Sequence, residues 1–251
     1  DFSKPLLGGP LDCGFDAFFG LHSSPGAAPL CYIRGRRVVA EPTATLSFLK
    51  KPTDTKPVTM AAAPGFSLQE TSPLFCAEAE QILRQHAQSG KQAGPLFLYY
   101  ASPIPHNPWV PSEAFRGSSG LGDYVDYVAQ LDHVVGRLNQ VLQETGLDRD
   151  PLLICTSDNG PGPGATRMMR AAGHACAGSL RGAKSDAWEG GHRVPFIVKW
   201  PGRVPAGTVS AATINFTDLF ATLAEMLGVD AAREYPGIRD SHSFYPVLAD
   251  P

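Results

Sequence analysis

Three loops carry residues whose types and spacing suit joint chemistry. The first, Thr156 to Gly160 (TSDNG), leaves the apolar run PLLIC and sets a carboxylate, Asp158, beside an amide oxygen, Asn159. A charged and a neutral oxygen side by side suit a hard divalent cation such as calcium. The same Asp-Asn-Gly string also makes an ordinary turn after a strand. The second loop, PIPHNPWVP, holds His106 between prolines. An imidazole there can give or take a proton near neutral pH, or simply hydrogen-bond within a stiff loop. In the third, LRGAKSDAWEGGHRVPFIVKWPG, Lys184 stands beside glycines. Glycine lets backbone approach an anion closely, and an ammonium neutralises one of the anion's oxygens. A solvated surface lysine is the alternative. Glu189 and Arg193 in this string are spaced to form an ion pair that shapes the turn.

Loops of this kind need strands and helices that end near one another. Ser72 followed by Pro73 reads as a helix start, with Phe75, Ala79, Ile82 and Leu83 at helical spacing up to about Gln88. The apolar and aromatic run PLFLYYA at residues 95–101 reads as a buried strand. From Gly122 to Leu142, Val125, Val128, Leu131, Val135, Leu138 and Leu142 share one helical face. PLLICTS from Pro151 and VPFIVKWPG from Val194 read as two further strands, and Thr217 to Leu227 as a helix closed by Gly228. Residues 1–71, rich in Gly and Pro, read as an irregular excursion with a hairpin from Leu30–Ile33 to Arg37–Ala40. Helices alternating with apolar strands predict an α/β fold, with helices on both faces of a mostly parallel sheet and ligands beyond the carboxyl ends of its strands. No linker or repeat interrupts residues 1–251, so one domain is expected.

Composition narrows the partners. Across 251 residues, 43% hydrophobic and 18% charged side chains are enough to build a core, so most of the chain should fold. The formal charge is −3 and the cations are scattered singly, which excludes a broad phosphate-neutralising surface. Nucleic acid is therefore not an expected partner, whereas a small anion in a pocket is. No apolar stretch approaches the roughly 18 to 20 residues that span a bilayer. The opening DFSKPLLGGP lacks the basic-then-apolar pattern of a targeting signal. Cys13, Cys31, Cys76, Cys155 and Cys176 are odd in number and contain no CxxC pair; they read as mostly free thiols and not as a zinc site.

In their order along the chain, DFSKPLLGGPLDCGFDAFFG, SPIPHNPWVPSEAFRG, GDYVDYVAQLDHVVGRL, TSDNGP, LRGAKSDAWEGGHRVPFIVKWPG and NFTDLFATLAEMLG resemble the sulfatase family of the alkaline phosphatase superfamily. TSDNG alone is a modest signal. Its combination with the GAK and EGGHRVPFIVKWPG strings downstream is highly specific. The resemblance implies a large mixed β-sheet sandwiched between helices, present here incompletely, and hydrolysis of a sulfate monoester, such as a sulfated sugar. It further implies one Ca2+ ion with Asp158 and Asn159 as two of its ligands, a proton donor to the leaving alcohol at His106, and a sulfate-gripping lysine at Lys184.

The family also carries, nearer its N-terminus, two aspartates that complete the calcium site and a CxPxR or SxPxR motif whose first residue becomes the formylglycine nucleophile. No cysteine here fits that motif; the nearest string is CYIRG at Cys31. On this resemblance residues 1–251 are expected to be a catalytic-domain fragment, inactive alone, that lacks the nucleophile segment and a C-terminal subdomain. A periplasmic, secreted or lysosomal home is implied. A phosphoester or phosphonate hydrolase of the same superfamily, or a non-catalytic binding protein with this fold, are the alternatives.

Overall fold

A computed structural model describes residues 2–51, 54–90 and 94–249. It divides into two compact units, Asp1–Gly146 and Leu147–Pro251.

In the first unit, β1 (Phe19–Gly20), β2 (Ile33–Arg34) and β3 (Arg37–Val38) form an antiparallel sheet in that order. The expected hairpin is β2 and β3, and its turn opens on Gly35 at φ 60°, a left-handed conformation that glycine adopts without a Cβ clash. A second antiparallel pair, β4 (Ala44–Phe48) with β5 (Val58–Ala62), lies in the stretch expected to be irregular. Along β4 every second residue is exposed, the period of a half-buried strand. Leu30, Cys31, Ala62, Ala63, Phe66 and Leu68 form the core beneath these sheets.

Two long helices complete this unit, α1 (Leu68–Ser89) and α2 (Asp123–Thr145). The predicted start of α1 at Ser72 is corrected to Leu68, with Ser67 in extended backbone as the cap and Pro73 inside the helix. Pro73 costs one backbone hydrogen bond there. Burial of Leu68 and Thr71 and the Thr71 hydroxyl's bond to the Ser67 carbonyl, 3.0 Å, hold the extra turn. Helix α2 runs close to its expected span but is rolled about its axis: Asp126, Tyr127, Gln130, Val134, Val141 and Leu142 are buried, whereas Val128 is exposed. Asp126 can be buried because its carboxylate accepts from the Gly117 and Ser119 amides at 2.7 and 2.9 Å and from the Ser119 hydroxyl at 2.6 Å. These donors outweigh the cost of desolvation and hold its pKa below the ordinary value. Arg137 grips Glu80 through two bonds of 2.7 and 2.8 Å and so clamps α2 to α1.

The buried strand predicted at residues 95–101 is not formed. The run carries no regular element, Phe97 is 64% and Tyr99 73% exposed, and Leu98 and Tyr100 are half-buried. It keeps the alternation of a strand but has no ladder partner among the described residues, so nothing covers its second face. The Tyr100 hydroxyl is buried without a hydrogen-bond partner among them, and burial pushes its ionisation upward.

In the second unit β6 (Leu153–Thr156) pairs antiparallel with β7 (Phe196–Lys199), Thr156 opposite Phe196. The predicted helix at Thr217–Leu227 is α5 (Asp218–Met226). The glycine-rich stretch between the strands contains two unpredicted helices, α3 (Pro163–Ala171) and the single turn α4 (Glu189–His192). Short helices α6 (Ala231–Glu234) and α7 (Tyr245–Ala249) follow.

The protein is therefore mixed α/β, as expected. The three sheets of the described residues are small and antiparallel, and the parallel relation survives only in the isolated bridge Leu30 to Ala62. A parallel neighbour requires the chain to cross back to the start of the sheet. Between Thr156 and Phe196 it instead doubles back and enters β7 at the end where β6 leaves. Among the described residues no helix is long and apolar enough to cross a membrane.

Candidate active site

The carboxyl end of β6 and the amino end of β7 share one edge, which brings the TSDNG and GAKSDAWEGG loops together within the second unit. The Thr156 hydroxyl donates to the Pro195 carbonyl at 2.8 Å and ties the two strand ends. Two backbone bonds then join the loops: the Gly160 amide donates to the Gly191 carbonyl at 2.9 Å, and the Lys184 amide donates to the Pro161 carbonyl at 2.9 Å. Asp158, Asn159 and Lys184 thus sit on two segments held as one.

This junction explains the glycines. A Cβ on Gly160 would lie 2.0 Å from the Gly190 carbonyl oxygen. One on Gly190 would meet the carbonyl oxygens of Gly182 and Arg181 at 2.5 and 2.7 Å. Backbone packs on backbone, and neither side can yield as a flexible side chain would. Gly190→Ala is accordingly expected to lower stability by about 1–3 kcal/mol, the usual cost of overpacking a close contact. Urea denaturation checks this, and an unchanged midpoint would show that the junction is loose.

Within the third loop, Asp186 accepts the Ala183 amide at 2.9 Å, and Ser185 takes φ 76°, a left-handed turn costly for a side chain other than glycine. Both fix the chain on either side of Lys184. The ion pair expected of Glu189 and Arg193 is present at 3.1 Å across α4. Lys184 itself is half-buried and pairs with no described carboxylate. Asp158 is exposed. The Asn159 amide nitrogen donates to the Gly160 carbonyl at 3.0 Å, which leaves its oxygen as the acceptor.

Oxygen donors of this kind fit calcium in type but supply only part of the six to eight oxygens it takes. Among the described residues no group of three or more His, Cys, Asp or Glu side chains is arranged to hold a metal ion. All five cysteines are free thiols.

His106 belongs to the first unit, exposed, in the loop between the cis peptides Ile104-Pro105 and Asn107-Pro108. The Trp109 indole donates to the Pro105 carbonyl at 3.1 Å and the Asn107 amide to the Lys50 carbonyl at 3.3 Å, pinning the loop on both sides. The imidazole Nδ1 lies 2.6 Å from the Asn107 carbonyl. A carbonyl can only accept, so Nδ1 carries hydrogen and Nε2 is the nitrogen that exchanges a proton. Of the residues singled out in the sequence, Asp158, Asn159 and Lys184 lie on the joined loops of the second unit and His106 lies in the first; the backbone bonds that join the first three were not foreseen. The glycines of residues 160–191 mark the stretch but not which backbone lies against which.

The second unit thus sets a carboxylate, an amide oxygen and a lysine on glycine-joined loops at one sheet end. Comparison with known proteins supplies the family. Residues 56–229 match the Sulfatase family model, and the chain belongs to the sulfatase family. It is 40% identical over 163 residues to an N-acetylgalactosamine-6-O-sulfatase of Bacteroides thetaiotaomicron, covering 63% of this chain and 31% of the relative. To human arylsulfatase A it is 37% identical over 142 residues, covering 57% and 27%. The chain therefore spans about a third or less of the curated relatives it matches. A solved structure from work on metabolism of multiple glycosaminoglycans by Bacteroides thetaiotaomicron matches with a TM-score of 0.85 at 24% identity, covering 100% of this chain and 58% of the other. A Pseudoalteromonas sulfatase structure matches at 0.72 and 22%, covering 96% and 48%. Both show the shared fold.

Proposed function

We propose that the whole protein hydrolyses a sulfate monoester, releasing inorganic sulfate, and that residues 1–251 are part of its one catalytic domain. The observation that carries this reading is the joining of the Asp158 and Lys184 loops through the two 2.9 Å backbone bonds. It supports a fixed set of an oxygen-donor pair and an ammonium, which suits an oxyanion whose charge grows during bond cleavage. Sulfatases generally use a metal ion and a formylglycine. Asp158 and Asn159 are the residues that would contribute to holding calcium, which when bound neutralises sulfuryl oxygens. Lys184 would bind one of those oxygens. His106, with Nδ1 committed to the Asn107 carbonyl, would deliver a proton from Nε2 to the departing alcohol. A periplasmic, secreted or lysosomal setting accompanies the proposal.

The test is release of inorganic sulfate from a sulfate monoester by the whole protein, measured beside phosphate release from the matching phosphate monoester. Preferential sulfate release supports the reading. Preferential phosphate release would assign the site to phosphorus chemistry, and no release from either would leave a binding protein. A sharper test lies in the leaving group. His106→Ala should slow an alkyl sulfate by about 10²-fold, since an alkoxide needs its proton. It should slow 4-nitrophenyl sulfate by less than about threefold, because nitrophenolate departs unassisted. Equal slowing of both would remove His106 from the proton-donor role.

A further inference from the structure

The segment that carries Lys184 is closed at its base by a pair of side chains. The Arg181 guanidinium lies 3.8 Å from the centroid of the Trp188 ring, closer than the Arg34–Phe19 and Arg203–Trp200 contacts at 4.6 and 5.4 Å. A cation at that distance over an indole face is held by the charge distribution of the ring. Gly182 to Ala187 lie between the two residues in the chain, and Lys184 is inside that span. Backbone fixes both partners to the EGG turn: the Gly190 amide donates to the Arg181 carbonyl and the Gly191 amide to the Trp188 carbonyl, each at 2.7 Å. Gly182 completes the closure, since a Cβ there would lie 2.8 Å from the Trp188 Cβ.

The outer side of this segment faces solvent. Trp188 is 50% exposed, and Ser185, Asp186 and Ala187 are exposed with it. Lys184 is tied through its amide to the Pro161 carbonyl, whereas its ammonium makes no bond among the described residues. The direction of the ammonium is then set by the shape of residues 182–187, and on the solvent side the stack is what holds that shape. We propose that Arg181 and Trp188 are positioning residues that act through Lys184, clasping its segment so that the ammonium stays where the charge of the anion grows. The inference rests on the sulfatase reading above and adds the device that aims its lysine. Neither side chain has to touch substrate to do this.

Sulfate release from 4-nitrophenyl sulfate and hydrogen exchange followed by mass spectrometry, both on the whole protein, test the clasp. Trp188→Ala and Arg181→Gln should each lower kcat by about three- to tenfold, the worth of one partly solvated cation–π contact. KM should stay within about twofold, because the interaction lost is one realised in the transition state. Trp188→Phe and Arg181→Lys, which keep a ring and a cation, should retain most of the rate. In a Lys184→Ala background Trp188→Ala should cost less than about twofold more, since the residue it acts through is gone. Amide exchange of residues 182–188 should quicken by about three- to tenfold in both loss variants while that of α5 stays as in the parent. Arg181→Gln, at an exposed position, decides the matter should Trp188→Ala fail to fold. Unchanged exchange, unchanged kcat in a parent that releases sulfate, or equal losses with and without Lys184 would overturn the clasp. Release with unchanged exchange sinks this inference alone, and quickened exchange in a protein that releases no sulfate sinks the hydrolase reading alone.

Discussion

Asp158→Ala in the whole protein is expected to abolish calcium binding measured by calorimetry and to lower sulfate release by about 10³-fold or more, together. A carboxylate is the one charged oxygen that the TSDNG loop offers, and a hard cation loses most when a charged ligand is removed. The neutral Asn159 oxygen cannot replace it. Polarisation by a metal contributes several kcal/mol to oxyanion stabilisation, and each 1.36 kcal/mol is a factor of ten in rate. Because Asp158 is exposed and makes no described ion pair, the unfolding midpoint without metal should stay near that of the parent. Calcium binding and activation that persist in the variant would remove Asp158 from the metal site. A collapse of stability instead would make Asp158 a turn residue.

Lys184→Ala should reduce turnover by about 10²–10³-fold, the range found when one fixed charge or donor is taken from an oxyanion. Its backbone role survives the change, since the Lys184 amide and not its side chain bonds the Pro161 carbonyl. Fold and calcium affinity should therefore be retained while kcat falls, a combination that separates it from Asp158→Ala. Lys184→Arg restores charge without the compact ammonium and should recover only part of the rate. Near-normal turnover in the alanine variant would mark Lys184 as a solvated surface residue.

What the sequence revealed depended on the range over which its signals act. Helices α2 and α5 were legible because amphipathic spacing and terminal glycines are local. The roll of α2 was not, since Asp126 goes inward only when the amides of Gly117 and Ser119 meet it. The run at 95–101 misled for the opposite reason: its residues have every strand preference, but a strand exists only with a partner. Residue types singled out Asp158, Asn159, His106 and Lys184 as candidates. The joining of the Asp158 and Lys184 loops by Gly160, Gly190 and Gly191 could not be read, because a glycine in sequence does not say which backbone lies against it.

The same unaccompanied run has a consequence for handling the molecule. Leu96, Phe97 and Tyr99 are all exposed within a stretch of seven residues that holds no charge. Uncharged, strand-prone segments with free edges recruit one another in solution. Residues 95–101 are thus a segment through which a concentrated preparation is expected to cluster, and a lysine at position 97 or 99 is expected to act as a gatekeeper that disperses it.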